Sequence, residues 1–202
     1  MSAVSQITTL IFDLFGVVIS FDDDIVTKRL ARHCATPELA YPALRDIVSR
    51  PALITGRISL RQLHEQLVAE HGLALDLSAF EAAWLEPYSQ PMPGMAELIA
   101  DLCQRHRLVL LSNVDKHYWA VVLQVHPELA HFQTLLTSWE LGVAKPASQG
   151  FKLAMGRDNP ASCFFIDDKA DNIKAAQALG IRGHLFRDAQ GLVRTLEDVG
   201  VR

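Results

Sequence analysis

The first sustained apolar run in the chain, Thr8-Thr9-Leu10-Ile11-Phe12, is apolar or β-branched on both parities and stops at a carboxylate, Asp13. A half-exposed strand alternates, so a run with no polar face predicts a strand covered on both sides, as in a parallel sheet. Short runs of the same kind recur at Leu108–Leu111, Thr134–Thr137, Cys163–Ile166 and His184–Phe186, each followed by a stretch of helical periodicity. That alternation predicts βαβ units and an α/β chain built on a parallel sheet.

Residues 25–87 break the rhythm, reading as helices with no convincing strand between them. Asp22-Asp23-Asp24 suits a helix start, where the dipole favours negative charge. Ser59-Leu60-Arg61-Gln62 has the form of a capping box, after which Leu60, Leu63 and Leu67 share one face and Gly72 supplies the stop. Ser78-Ala79-Phe80-Glu81 repeats the signature and opens a helix that Pro87 would end. Pro91, Pro93 and Gly94 then form a linker before a helix from Met95 to about Arg105. The predicted division is a core of residues 1–20 and 88–202, with residues 21–87 inserted as a helical unit after the first strand.

Composition narrows the function classes. Half of the 202 residues are hydrophobic, 21% are charged and the net charge is −4, an ordinary globular balance with no basic excess to attract nucleic acid or anionic lipid. The opening segment lacks a basic n-region and carries Asp13 inside its apolar run, so it reads as a strand rather than a signal peptide. No stretch approaches the length of a membrane-spanning helix. Cys34, Cys103 and Cys163 are scattered, without C-x-x-C spacing, and read as packing residues in a reducing cytoplasm. The eight histidines show no metal-ligand spacing.

In open parallel sheets, ligands bind beyond the carboxyl ends of the strands. The polar residues predicted there are Asp13, Ser112 with Asn113, Lys145, and Asp167 with Asp168. This set suits transfer of an anionic group. A carboxylate can attack, an acidic pair can hold a divalent cation such as Mg²⁺, a lysine can neutralise, and a hydroxyl with backbone N–H groups can donate to phosphate oxygens.

Phe12-Asp13-Leu14-Phe15-Gly16-Val17-Val18, Leu110-Leu111-Ser112-Asn113, Gly142-Val143-Ala144-Lys145-Pro146 and Phe165-Ile166-Asp167-Asp168-Lys169-Ala170-Asp171-Asn172 resemble, in order, the four motifs of the haloacid dehalogenase (HAD) superfamily. The resemblance is to the branch with a helical cap after the first motif, which includes sugar-phosphate phosphatases. It implies a doubly wound, Rossmann-like core and a Mg²⁺-dependent phosphatase acting on a small phosphorylated metabolite. Asp13 would be the nucleophile and a metal ligand, Ser112 and Asn113 would hold the phosphoryl group, and Lys145 would neutralise it. Asp168 would be the principal metal carboxylate beside Asp167, and the Phe15 backbone carbonyl a further ligand.

One position departs from the pattern. Most phosphatases of the superfamily carry a second Asp, the general acid and base, where this chain has Phe15. Metal-free haloacid dehalogenases have an aromatic Tyr there, which keeps a dehalogenase open as a second reading, though Asp167-Asp168 speaks against it. A non-enzymatic binding protein is the third. In the insertion, Gly56-Arg57-Ile58-Ser59 resembles the turn between cap helices, so Arg57 is a candidate to reach substrate. Phe80 and Trp84 read as packing, and His117, Tyr118 and Trp119 as packing near the pocket. Asp171 and Asn172 read as helix cap or loop support.

Overall fold

The computed structural model describes residues 6–202. Strands β1 (Thr9–Phe12), β2 (Arg107–Ser112), β3 (Thr134–Thr137), β4 (Cys163–Asp167) and β5 (Arg182–Leu185) form one sheet in the order β3-β2-β1-β4-β5. Every pairing is parallel. The first four strands fall where the apolar runs predicted. The fifth lies two residues earlier than expected at its start, because Arg182 and Gly183 pair with β4 despite lacking the apolar signature.

Alternate side chains of the central strands enter two separate cores. Leu10, Phe12, Leu108, Leu110, Phe164 and Ile166 pack in one, and Ile11, Val109, Leu111 and Phe165 in the other. Both faces of the sheet are therefore covered, the doubly wound arrangement. One face is closed by α9 (Ser148–Met155) and α10 (Ala170–Gln177), through Phe151 and Ile173. The other takes α6 (Met95–Leu102), α7 (Lys116–Val125) and α11 (Ala189–Asp198). The short α8 (Ser138–Leu141) follows β3.

Between β1 and β2 the chain runs through α1 (Asp23–Ala31), α2 (Pro37–Ala43), α3 (Pro51–Ile54), α4 (Leu60–His71) and α5 (Leu77–Leu85) before reaching α6. The capping box forms as read, with the Gln62 N–H donating to Ser59 Oγ at 3.2 Å and the Ser59 N–H to Gln62 Oε1 at 2.9 Å. Gly72 closes α4 at φ 61°, where an L side chain is strained. Two boundaries differ from expectation. The α5 cap is Asp76, which accepts from the Ala79 N–H, and Ser78 sits inside the helix. The helix starting at Met95 stops at Leu102, short of Arg105.

The two chain crossings between these helices and the sheet are tied together. The Ser20 N–H donates to the Gln90 carbonyl at 2.7 Å, the Gln90 N–H to Ser20 Oγ at 2.9 Å, and the Met92 N–H to the Val18 carbonyl at 2.9 Å. No helix of the described residues is long and apolar enough to cross a membrane. The three cysteines are free thiols.

Candidate active site

Strand register sets the site. Phe12 is level with Leu110 on one side and with Ile166 on the other, so the carboxyl ends of β1, β2 and β4 lie abreast. The Asp13 N–H continues the ladder to the Ile166 carbonyl at 2.8 Å. Asp13 therefore emerges beside Asp167, at the place where the chain connects outward in both directions.

Lys145, reaching in from the loop after α8, bridges the two carboxylates. Its Nζ is 2.7 Å from Asp13 Oδ1 and 2.8 Å from Asp167 Oδ2, and all three side chains are buried. Burial is the largest influence on Asp13 and pushes its carboxyl up to about 7, with Lys145 opposing and Asp167 and Asp168 adding to the rise. Burial also works against the Lys145 charge, but the two carboxylates outweigh it and hold the ammonium above its usual value.

Asp167 and Asp168 are adjacent yet differently placed. Asp167 is saturated, with Oδ2 on Lys145 and Asn172 Nδ2 and Oδ1 on the Lys169 N–H and again on Asn172 Nδ2. Asn172 thus supports the loop, as its place in the sequence suggested. Asp168 Oδ1 is buried without a hydrogen-bond partner, and burial followed by Asp167 raises its carboxyl above the ordinary range. Gly16, at φ 80°, allows this approach, because a Cβ there would meet Asp168 Oδ2 at 2.7 Å. Ligand atoms of Asp13, Asp167 and Asp168 all lie within 4.8 Å of one another. The orphaned Asp168 oxygen and the raised carboxyls are what a cation would relieve, so the residues fit a metal ion.

Ser112 and Asn113 take different parts. Ser112 Oγ is buried with no hydrogen-bond partner among the described residues. The Asn113 side chain clamps the Lys145 backbone, accepting from its N–H at 2.8 Å and donating to its carbonyl at 3.0 Å. The amide group therefore positions the lysine, and what it leaves for a ligand is its backbone N–H.

A cavity of about 580 Å³ opens over Asp13 and Lys145. Phe15 lines it, packed at 5.5 Å between ring centroids against Phe21 and stacked at 6.3 Å on Tyr118, which itself stacks on Tyr88 at 4.2 Å. Arg57 does not line this cavity. It lines a second one of about 440 Å³, with Lys116, His117 and Trp139. Phe80 and Trp84 are buried packing residues as expected.

Three features escaped the sequence reading. Asp115 lines both cavities and caps α7, accepting from the His117 and Tyr118 N–H groups at 2.8 and 3.0 Å and from Trp84 Nε1 at 3.3 Å. Its N-cap position just after Ser112-Asn113 was a usable signal. Phe21, the first residue of the helical insertion, and Tyr88, the first after it, both line the main cavity. Finally, a buried chain runs from Glu128 Oε1 through His126 to Ser89 Oγ, at 3.0 Å for each step, and on to the Tyr118 hydroxyl at 3.3 Å. Ser89, Tyr118 and the His126-Glu128 pair are remote from one another in sequence and carried no local signature.

A haloacid dehalogenase-like hydrolase family model matches residues 7–180. This chain is a haloacid dehalogenase-like hydrolase. Its sequence is 26% identical over 133 residues to flavin mononucleotide hydrolase 1 of Arabidopsis thaliana, covering 64% of this chain and 54% of the relative. It is 33% identical over 92 residues to bifunctional epoxide hydrolase 2 of Rattus norvegicus, covering 44% of this chain and 16% of the relative. The HAD chain thus matches about half the length of the first and a small part of the second. Among solved structures, HAD family enzyme bt-2542 of Bacteroides thetaiotaomicron superposes with a TM-score of 0.79 at 23% identity, covering 92% of this chain and 96% of that one. A complex of that enzyme with magnesium and inorganic phosphate superposes at 0.77, with 22% identity and 91% and 96% coverage.

Proposed function

We propose that this HAD hydrolase is a Mg²⁺-dependent phosphomonoesterase of a small phosphorylated metabolite, working through an aspartyl-phosphate on Asp13. The observation that carries the reading is the pairing of Asp13 and Lys145 beside the orphaned oxygen of Asp168. Support also comes from the bt-2542 relative, which binds magnesium and inorganic phosphate. In this reading residues 21–87 act as a cap over a core formed by the rest of the chain.

Lys145 and the Leu14 N–H, at 2.7 Å each, both bind Asp13 Oδ1. They orient the carboxylate and leave Oδ2 as the attacking oxygen. Ser112 Oγ and the Asn113 N–H donate to the oxygens of the transferring group, and Lys145 offsets its charge. Asp13, Asp168 and the Phe15 carbonyl would hold Mg²⁺, with Asp167 fixed behind them, and the ion supplies charge neutralisation between carboxylate and phosphate. Phe15 carries no proton, so its side chain takes no part in acid–base transfer.

The test is turnover of p-nitrophenyl phosphate with and without Mg²⁺, alongside Asp13→Asn. We expect Mg²⁺-dependent release of phosphate and its loss in the variant, since the amide is nearly isosteric but a far poorer nucleophile. Equal rates in the two proteins, with both folded, would remove the covalent mechanism.

A further inference from the structure

The walls of the main cavity are unequal. From the helical insertion and its flanks come Phe21, Val48, Pro51, Ile54 and Tyr88, with Ser49 as the polar exception, and Phe15 faces them from the core. None of these side chains is charged. Outside the Asp13 and Lys145 floor, the charged lining residues are Asp115, already bonded to α7 and Trp84, Asp171, which pairs with Lys174, and Lys169, a solvent-exposed cation at the rim. Lys169 Nζ is 5.9 Å from the centre of the Phe21 ring. Among the described residues, the side of the cavity contributed by the insertion offers no cation to a second anionic group.

From these walls we propose that the leaving group of the substrate is an uncharged aromatic alcohol, seated against Phe15, Phe21 and Tyr88. This rests on the phosphatase reading above and narrows it to aryl phosphomonoesters. Two independent observations converge. First, a distal carboxylate or second phosphate seated on the insertion side would be buried against apolar walls, with only the solvent-screened Lys169 at the rim to meet it, which is costly, whereas a flat ring gains from aromatic contact. Second, the position beside the nucleophile holds Phe15 rather than an acid, so the leaving oxygen departs unprotonated. A phenol, with a pKa of about 10, tolerates that far better than an alkyl alcohol.

The step balances without another reagent. As the bond from Asp13 Oδ2 to phosphorus forms, the bond from phosphorus to the aryl oxygen breaks and its electron pair leaves as phenolate, which takes a proton from solvent. Water then adds to phosphorus, the bond to Asp13 breaks and restores the carboxylate, and the water protons pass to phosphate and solvent.

The experiment compares 1-naphthyl phosphate, glycerol 3-phosphate and 2-phosphoglycolate at saturating Mg²⁺, with the wild type and Phe21→Ala. We expect kcat/KM for the naphthyl ester to lead by about 100-fold or more, and the lead to shrink roughly tenfold in Phe21→Ala, within the range that apolar pocket contacts supply. Calorimetry of benzylphosphonate against phosphonoacetate gives a second readout that needs no turnover, and benzylphosphonate should bind more tightly. Preference for phosphoglycolate or phosphonoacetate, or an unchanged ratio in Phe21→Ala, overturns the proposal. If no phosphomonoester is turned over while benzylphosphonate still binds more tightly, the phosphatase reading fails and the ligand class stands.

Discussion

Among the described residues, Lys145 is the cation that bridges two buried carboxylates, and its own charge is held by them in turn. Replacing it with Met leaves Asp13 and Asp167 facing each other in a low-dielectric site. We expect Lys145→Met to destabilise the metal-free protein by about 3–5 kcal/mol, read from urea unfolding, and Mg²⁺ to recover part of the loss. A second residue-scale prediction concerns Phe15. Phe15→Asp places a carboxyl where it can protonate a leaving oxygen, and general acid catalysis contributes on the order of 10²- to 10⁴-fold. Part of that should appear as faster turnover of alkyl phosphates at saturating Mg²⁺, with aryl phosphates gaining less. A level or lower alkyl rate in a folded, metal-bound variant would mean that another group supplies the proton.

Helix α7 concentrates what the sequence left hidden among the elements. Its N-cap, Asp115, is buried, and that burial raises its carboxyl above the ordinary range in spite of three donors. The folded state therefore holds the Asp115 proton more tightly than the unfolded chain does. Its contribution to stability is fully present below the unfolded pKa and is lost as pH rises through the raised folded value. Asparagine caps helices as well as aspartate and does not titrate, so the stability of wild type relative to Asp115→Asn should fall as pH rises from about 4, measured by urea unfolding at a series of pH values. A difference that stays flat with pH would place the charge on Asp115 in both states. The strands were more legible than such details. Buried parallel strands advertise themselves by continuous apolar runs, as β1 and β4 do. The Arg182-Gly183 start of β5 did not, because β5 is an edge strand, only partly buried along its length. Likewise the cap of α5 was misplaced onto Ser78, since Asp76 offers the same side-chain oxygen two residues earlier. The chemistry at the strand ends was readable because Asp13, Ser112, Asn113, Asp167 and Asp168 lie at or just past the end of a strand, whereas Lys145, beyond α8, was legible only through the motif it resembles. Tyr88, Ser89, His126 and Glu128 were not, because only tertiary packing brings them together.

Across the whole molecule, the helical excursion between β1 and β2 leaves and returns through one narrow neck, where Ser20 and Gln90 bond to each other and Ile19 bridges Pro91. Loop closure costs only about 0.6 kcal/mol for each doubling of loop length, so the length of what spans the neck has little leverage on the sheet beneath it, and its hold on the core runs through contacts such as Trp84 Nε1 to Asp115 and Ser138 Oγ to the Ile54 carbonyl. The exit and entry points act as a fixed socket. A foreign helical segment grafted between Ser20 and Gln90 should leave the five strands paired as they are, checked by hydrogen exchange of the β1 and β4 amides, while substrate preference follows the graft. Protection lost from those amides would mean that the sheet depends on its own insertion. If the socket holds, reaction chemistry and substrate choice in this chain are separable inheritances, free to be exchanged one without the other.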